Sequence, residues 1–256
     1  MNTQTQPAIF IGHGSPMNAL EDNQFTAAWQ QLGARFRPKA ILVISAHWMT
    51  SMVAVTAMTA PKTIHDFGGF PPSLFAAQYP APGNPELAHR VAQLLAPMPV
   101  HQDHDWGLDH GSWSVLMKMF PAADIPVVQL SLNLNEAEAF HFDLGQGLAS
   151  LRDEGVMLLA SGNIVHNLRR LDLRVGGFDW AQRFNAQVRA AIERNDFEAL
   201  VNYTQFGQDA QLSIPTVEHY LPLLYILGAK RDTDKVEILC DELVMGSISM
   251  MSLVIA

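Results

Sequence analysis

The chain has 256 residues, 48% hydrophobic and 16% charged, with 16 basic against 25 acidic side chains and a net charge of −9. That length and balance suit one large domain with its own core and exclude a disordered, collagen-like or coiled-coil chain. The acidity, with no basic run longer than Arg169 and Arg170, excludes nucleic-acid binding by bulk charge, and the lone Cys240 excludes both an internal disulfide and a thiolate metal cage.

The first residues carry neither a basic start nor an apolar stretch, and no apolar run approaches the roughly 18 residues of a membrane helix. The expectation is a soluble, cytoplasmic protein without a membrane partner. Ala8 to Ile11 reads as a buried strand that runs into Gly12, His13, Gly14 and Ser15. Ala40 to Ala46 repeats the design and ends at His47, with Met52 to Met58 as its expected strand neighbour. Thr59 to Gly83, rich in Pro, Gly and Phe, reads as a long surface loop of the kind that carries function. Asn84 and Pro85 open a helix through Leu95, and a polar, aromatic stretch from Asp103 to Trp113 leads into a helical run from Val115 to Phe120.

Further strands are expected at Pro126 to Leu132 and Val156 to Ala160, and helices at 135–152, 180–194, 197–204 and 216–227. Val236 to Ile255 reads as a hairpin near Gly246 that joins the sheet. Strands alternating with helices give an α/β domain with a mostly buried sheet.

The strongest chemical signal is positional. His13, His47 and His166 each follow an apolar strand, and ligands of α/β sheets bind at the carboxyl ends of strands, so three imidazoles could converge on one metal. A single histidine at a strand end is ordinarily a hydrogen-bonded structural residue; three with the same placement are not so easily dismissed. Glu218 and His219 open the last expected helix, and adjacent helical positions point about 100° apart, so one of them faces the sheet. Two His with Glu218 would make the facial triad of non-haem Fe(II) oxygenases, whereas three His suit Zn²⁺ as well as Fe²⁺.

His110, beside Trp113, is the further member placed at a site, and His65 in the aromatic loop is balanced between facing a substrate and bracing the loop. His104 reads as a surface residue, and His89, His101 and His141 as structural or solvated. Arg169, Arg170 and Arg174 fit either a carboxylate-binding group or a solvated face. Neither G-x-G-x-x-G, a P-loop nor G-x-S-x-G is present, which sets aside phosphate cradling and a serine nucleophile at Ser15 or Ser161.

Taken together, Ile11 to Pro16 (IGHGSP), Ser45 to Trp48 (SAHW), Thr63 to Phe67 (TIHDF), Tyr79 to Gly83 (YPAPG), Gly107 to Trp113 (GLDHGSW), Gly162 to Asn167 (GNIVHN) and Glu218 to Tyr220 (EHY) resemble the class III extradiol ring-cleavage dioxygenases, in particular the 4,5-DOPA branch. The motifs run in order from residue 11 to 220 and are specific as a set. The resemblance implies a single domain over 1–256, a central mixed β-sheet flanked by helices, and one divalent metal at the sheet's edge. That metal would be Fe(II) for activity, with Zn(II) a candidate occupant.

It assigns the ligand role to His13, His47 and His219, with acid-base work or a fourth bond for His166. Catalytic and substrate-lining roles fall to His110, and a substrate-lining role to His65. The substrates would be a catechol, L-DOPA or a relative, and O₂. The rival class is a zinc-dependent hydrolase on the same histidines; a closed, non-enzymatic metal module would ordinarily use four ligands with Cys among them.

Overall fold

The computed structural model describes residues 5–174 and 176–256. Its strands are β1 (Ala8–Gly12), β2 (Ala40–Thr50), β3 (Ala54–Thr56), β4 (His101–Asp103), β5 (Val127–Asn133), β6 (Val156–Gly162), β7 (Val236–Leu239), β8 (Leu243–Val244), β9 (Ile248–Ser249) and β10 (Ser252–Ile255). The helices are α1 (Gln24–Arg35), α2 (Pro72–Phe75), α3 (Pro85–Leu94), α4 (His110–Met119), α5 (Glu138–Leu148), α6 (Asp179–Glu193), α7 (Phe197–Val201), α8 (Gln208–Ser213) and α9 (Leu221–Gly228). Eight strands form one sheet in the order β4-β3-β5-β2-β6-β1-β10-β7. Its centre, β5, β2, β6 and β1, is parallel, while antiparallel pairings of β3 with β5 and of β1 with β10 make the whole sheet mixed. This is the single α/β domain expected from the sequence.

The apolar strands look continuous in sequence because both faces of the sheet are covered. Ile9, Ile11, Ile41, Val43, Met157 and Leu159 pack with Trp29 and Leu32 of α1 and Trp113 and Leu116 of α4. The alternate residues Phe10, Leu42, Ile44 and Leu158 pack on the other side with α3, α5, α6 and α9. Removing a side chain such as Phe10 from water contributes about 2–3 kcal/mol. Among the described residues no helix is long and apolar enough to cross a membrane.

Several expectations need correction. Met52 to Met58 is not the neighbour of Ala40 to Ala46: β3 pairs with β5 and β4, and β5 lies between it and β2. Alternating hydrophobicity identifies a strand but not its partner. The terminal hairpin is two structures, since β7 and β10 join the main sheet while β8 and β9 form a small ribbon around Gly246. Finally, α9 begins at Leu221 rather than near Thr216, which leaves Glu218 and His219 in a turn. The Thr59 to Gly83 segment is less superficial than expected, for Leu74 and Tyr79 are buried and Tyr79 Oη donates to Phe120 O at 3.0 Å.

Two buried polar groups stabilise this frame. Arg152, fully buried, donates to the carbonyls of Gln6, Ala229 and Ile255 and pairs with Asp234, tying the entry of β1 to the exit of α9 and to β10. His141 on α5 is also fully buried, with Nδ1 3.0 Å from Tyr225 Oη of α9. Burial pushes its pKa from 6.5 down to about 4, only partly offset by the Asn133 backbone. The unfolded chain therefore takes up a proton that the folded chain refuses, so stability falls as pH drops below 6.5 and the loss is complete near 4. The size is roughly 3 kcal/mol. Denaturant titrations between pH 7 and 4 should show His141→Asn, which keeps a polar partner for Tyr225 but cannot charge, losing that part of the slope relative to wild type.

Candidate metal centre

All four central parallel strands end at one edge of the sheet, and the candidate residues gather there. His13 is the first residue after β1, and its backbone N–H donates to Gly162 O at the end of β6 (3.1 Å). His47 lies inside β2, not after it, but in the stretch where register with β5 slips between Ile44 and Met49 and pairing with β6 has already ended at Ser45. His110 is the first residue of α4, whose N-cap Asp109 accepts from Ser112 N. His166 follows β6 in a loop, and His219 sits in the turn before α9.

Two glycines make the gathering possible. A Cβ on Gly162 would lie 2.2 Å from His219 O, so only glycine lets the 215–220 turn rest on the end of β6, where Asn163 N donates to the same carbonyl at 2.9 Å. A Cβ on Gly111 would lie 2.8 Å from the His47 ring, so α4 approaches β2 only because that position is bare.

Hydrogen bonds then orient the rings. The single hydroxyl proton of Ser161 goes to Gly111 O (2.5 Å), so Ser161 Oγ must accept from His13 Nδ1 (2.9 Å). His13 Nε2 is thereby left with its lone pair, facing His47 Nε2 at 3.3 Å. His219 Nδ1 lies 3.2 Å from Glu218 Oε1, which by the same reasoning frees His219 Nε2. Ligand atoms of His13, His47 and His219 all fall within 4.8 Å of one another. Nitrogens about 2.0–2.1 Å from a tetrahedral cation stand roughly 3.3 Å apart, which is the His13 to His47 spacing. The residues fit a divalent metal.

Electrostatics agree with that fit. Burial, reinforced by the other histidines, holds His13 and His219 well below the usual imidazole range. Burial and His110 push His47 down to about 3, and burial pushes His166 down to about 4. Neutral imidazoles offer lone pairs, as metal binding requires. Replacing Ser161 with Ala should loosen the His13 ring and weaken metal binding about 10–100-fold without unfolding the protein, measurable by competition against a chelator. Unchanged affinity would show that Ser161 does not orient His13.

The structure brings together His13, His47, His110, His166 and His219, the last two stacked at 3.5 Å between ring centroids. It does not bring in His65, which is the correction to the sequence reading. Its Nε2 lies 2.9 Å from Ala77 O, its ring packs between Phe67, Phe75 and Trp113, and it does not line the cavity. Its neighbour Asp66 takes that place. Oδ1 accepts from the His110 backbone N–H (2.9 Å), while Oδ2 lies 2.9 Å from His110 Nδ1 and 3.7 Å from His47 Nδ1. Burial opposes the Asp66 charge, but its contacts with His110 outweigh it and hold the carboxyl below its usual range.

Sequence reasoning missed Asp66, and it considered Ser161 only as a nucleophile. The signal for Asp66 was its place beside His65 in the aromatic loop, but nothing local said which of the two turns inward. His219 belongs to one possible ligand group with His13 and His47 and to a second with His166 and Glu218, and its Nδ1 lies 3.2 Å from Glu218 Oε1.

These groups line a cavity of about 430 Å³ together with the Gly14–Pro16 turn and a set of apolar side chains: Phe67, Phe70, Leu168, Leu171, Met245 and Ile248. A single aromatic ring fits such a space. Residues 7–256 match the family described as the catalytic LigB subunit of aromatic ring-opening dioxygenase. The chain belongs to this family.

LigB membership makes the protein an aromatic ring-opening dioxygenase, an oxidoreductase whose substrates are a small molecule and O₂. Among its LigB relatives, a 4,5-DOPA dioxygenase extradiol of Escherichia coli K12 is 52% identical, covering 98% of this chain and 95% of its own. The protein of that name from Beta vulgaris is 40% identical, over 90% and 89%. A crystal structure of an uncharacterized Escherichia coli K12 protein superposes with a TM-score of 0.86 at 48% identity, covering 98% of this chain and all of that one.

Proposed function

We propose that residues 1–256 act as one catalytic domain that opens a catechol ring, of L-DOPA or a related catechol, outside its two hydroxyls with O₂. His13, His47 and His219 would hold one divalent cation, Fe(II) in the active enzyme, with Zn(II) able to take the same nitrogens. The observation that carries this reading is the pair of imidazole nitrogens facing each other at 3.3 Å, one with its lone pair freed by Ser161, at the polar end of an apolar cavity sized for a ring.

The cation, when bound, supplies a meeting point for both catechol oxygens and O₂ and makes the hydroxyls more acidic. The chain's own residues do the rest. His110, with Nδ1 engaged by Asp66, presents Nε2 to accept a hydrogen bond from a substrate hydroxyl. His166, neutral and held flat against His219, accepts the second hydroxyl proton; the negative charge of the catecholate raises its basicity again. The same imidazole, once protonated, returns the proton to oxygen as the ring opens. Phe67, Phe70 and Ile248 shield the ring from water.

Family membership favours oxygen chemistry over the zinc-hydrolase alternative. The test is oxygen uptake with simultaneous absorbance scans after anaerobic loading with Fe²⁺, on L-DOPA and a catechol panel, beside a Zn²⁺-loaded control. Stoichiometric O₂ consumption with a new, visibly absorbing product is expected. No uptake with any catechol would overturn the reading.

A further inference from the structure

The apolar part of the cavity's lining states what kind of catechol it takes, an inference that rests on the ring-opening reading above. Of the residues lining the cavity none is Lys or Arg, and the only acidic one is Asp66, whose carboxylate is already engaged by His110. The arginines in reach by sequence turn elsewhere. Leu168 to Arg170 form one turn of 3-10 helix, and Leu171 leaves it in extended backbone. Leu168 and Leu171 both line the cavity, while Arg169 and Arg170 between them are exposed and do not. Arg174 is 88% exposed and bound to Asp172.

This turn is fixed in place. Asn167, 5% exposed, accepts from Arg169 N, donates to Leu212 O at 2.7 Å, and is held through its backbone by Ser247. Yet Leu168 and Leu171 are 61% and 43% exposed, unusually open for leucines that contribute to a cavity. An apolar group entering the cavity would cover them and take their surface out of water. A carboxylate placed against them would give up part of its hydration and find no Lys or Arg among the residues that line the cavity.

We propose that Leu168 and Leu171 select catechols whose ring substituent is apolar where it leaves the ring, an alkyl or arylalkyl side chain with any charge at least two carbons out. Catechols bearing a carboxylate directly on the ring are rejected. A fixed, cation-free wall with two uncovered leucines is the juxtaposition that says so.

The probes are 4-propylcatechol and 3,4-dihydroxybenzoate. Their dissociation constants are measured calorimetrically on Zn²⁺-loaded protein, where binding is read without turnover, and their kcat/KM on Fe²⁺-loaded protein by oxygen uptake. The alkyl catechol is expected to lead by at least about tenfold in both, the scale on which a pocket discriminates by small apolar groups. Leu171→Arg and, independently, Leu168→Arg place a cation in the wall at positions exposed enough to accept it. Each is expected to narrow the gap severalfold by improving 3,4-dihydroxybenzoate. Equal or better binding and turnover of 3,4-dihydroxybenzoate by the wild type, or a ratio unmoved by both arginine variants, would overturn the selection while leaving ring opening intact. Failure of every catechol to bind and to consume O₂ would overturn both.

Discussion

Replacing His13 with alanine is expected to leave a folded protein that no longer retains a metal and no longer consumes O₂. His13 follows β1 at the buried edge of the sheet, and its ring contributes to one end of a cavity rather than to either apolar core, so its removal opens space where water can enter. The loss of function should be large because the imidazole supplies a bond and not merely an orientation. Removing a residue that only orients a ligand costs about 10–100-fold in metal affinity, and losing the ligand itself should exceed that. His47→Ala and His219→Ala should behave alike, whereas Glu218→Gln, which disturbs only the far nitrogen of His219, should stay within the smaller range. Metal content by elemental analysis after gel filtration, with circular dichroism as the folding control, makes the comparison. If Glu218→Gln emptied the protein as fully as His219→Ala, the carboxylate would be the third ligand.

His166→Gln separates the acid-base role from ligation. The variant should keep its metal and its catechol affinity and lose about 10²–10⁴-fold in kcat, the usual contribution of a positioned general acid-base. Because the proton is moved only after substrate binds, the loss should fall on kcat with little change in KM. Stacking on His219 makes a structural effect possible, so metal content is measured on the same preparation. Loss of the metal along with the activity would instead make His166 a fourth ligand.

Much of this was legible in the sequence, and the parts that were not share a cause. The central strands were readable because a sheet covered on both faces turns each strand into an unbroken apolar run. The convergence of His13, His47 and His166 was readable because strand ends of a parallel sheet share an edge. What required the structure was anything set by the path of a loop or the partner of a strand. Asp66 and His65 are adjacent, and the choice between them depends on how the loop is pinned, with Trp113 Nε1 donating to Ile64 O and Ile64 N to Leu108 O. The helix α1 passed unread although Asn23 and Thr26 form a capping box. The order of β3 and β5 was likewise invisible, since each pairs with residues far away in sequence.

The place of β10 beside β1 has a consequence for synthesis. Ala8 pairs with Ile255, so during synthesis the strand that leads into His13 waits for a partner made more than two hundred residues later. At about 5–20 residues per second that wait is on the order of tens of seconds. Throughout it, the edge of Ala8, Ile9 and Phe10 offers unpaired backbone to any other extended chain. The vulnerable species for this protein is the growing polypeptide on the ribosome, and its yield in a cell should depend on how well chaperones cover that waiting strand.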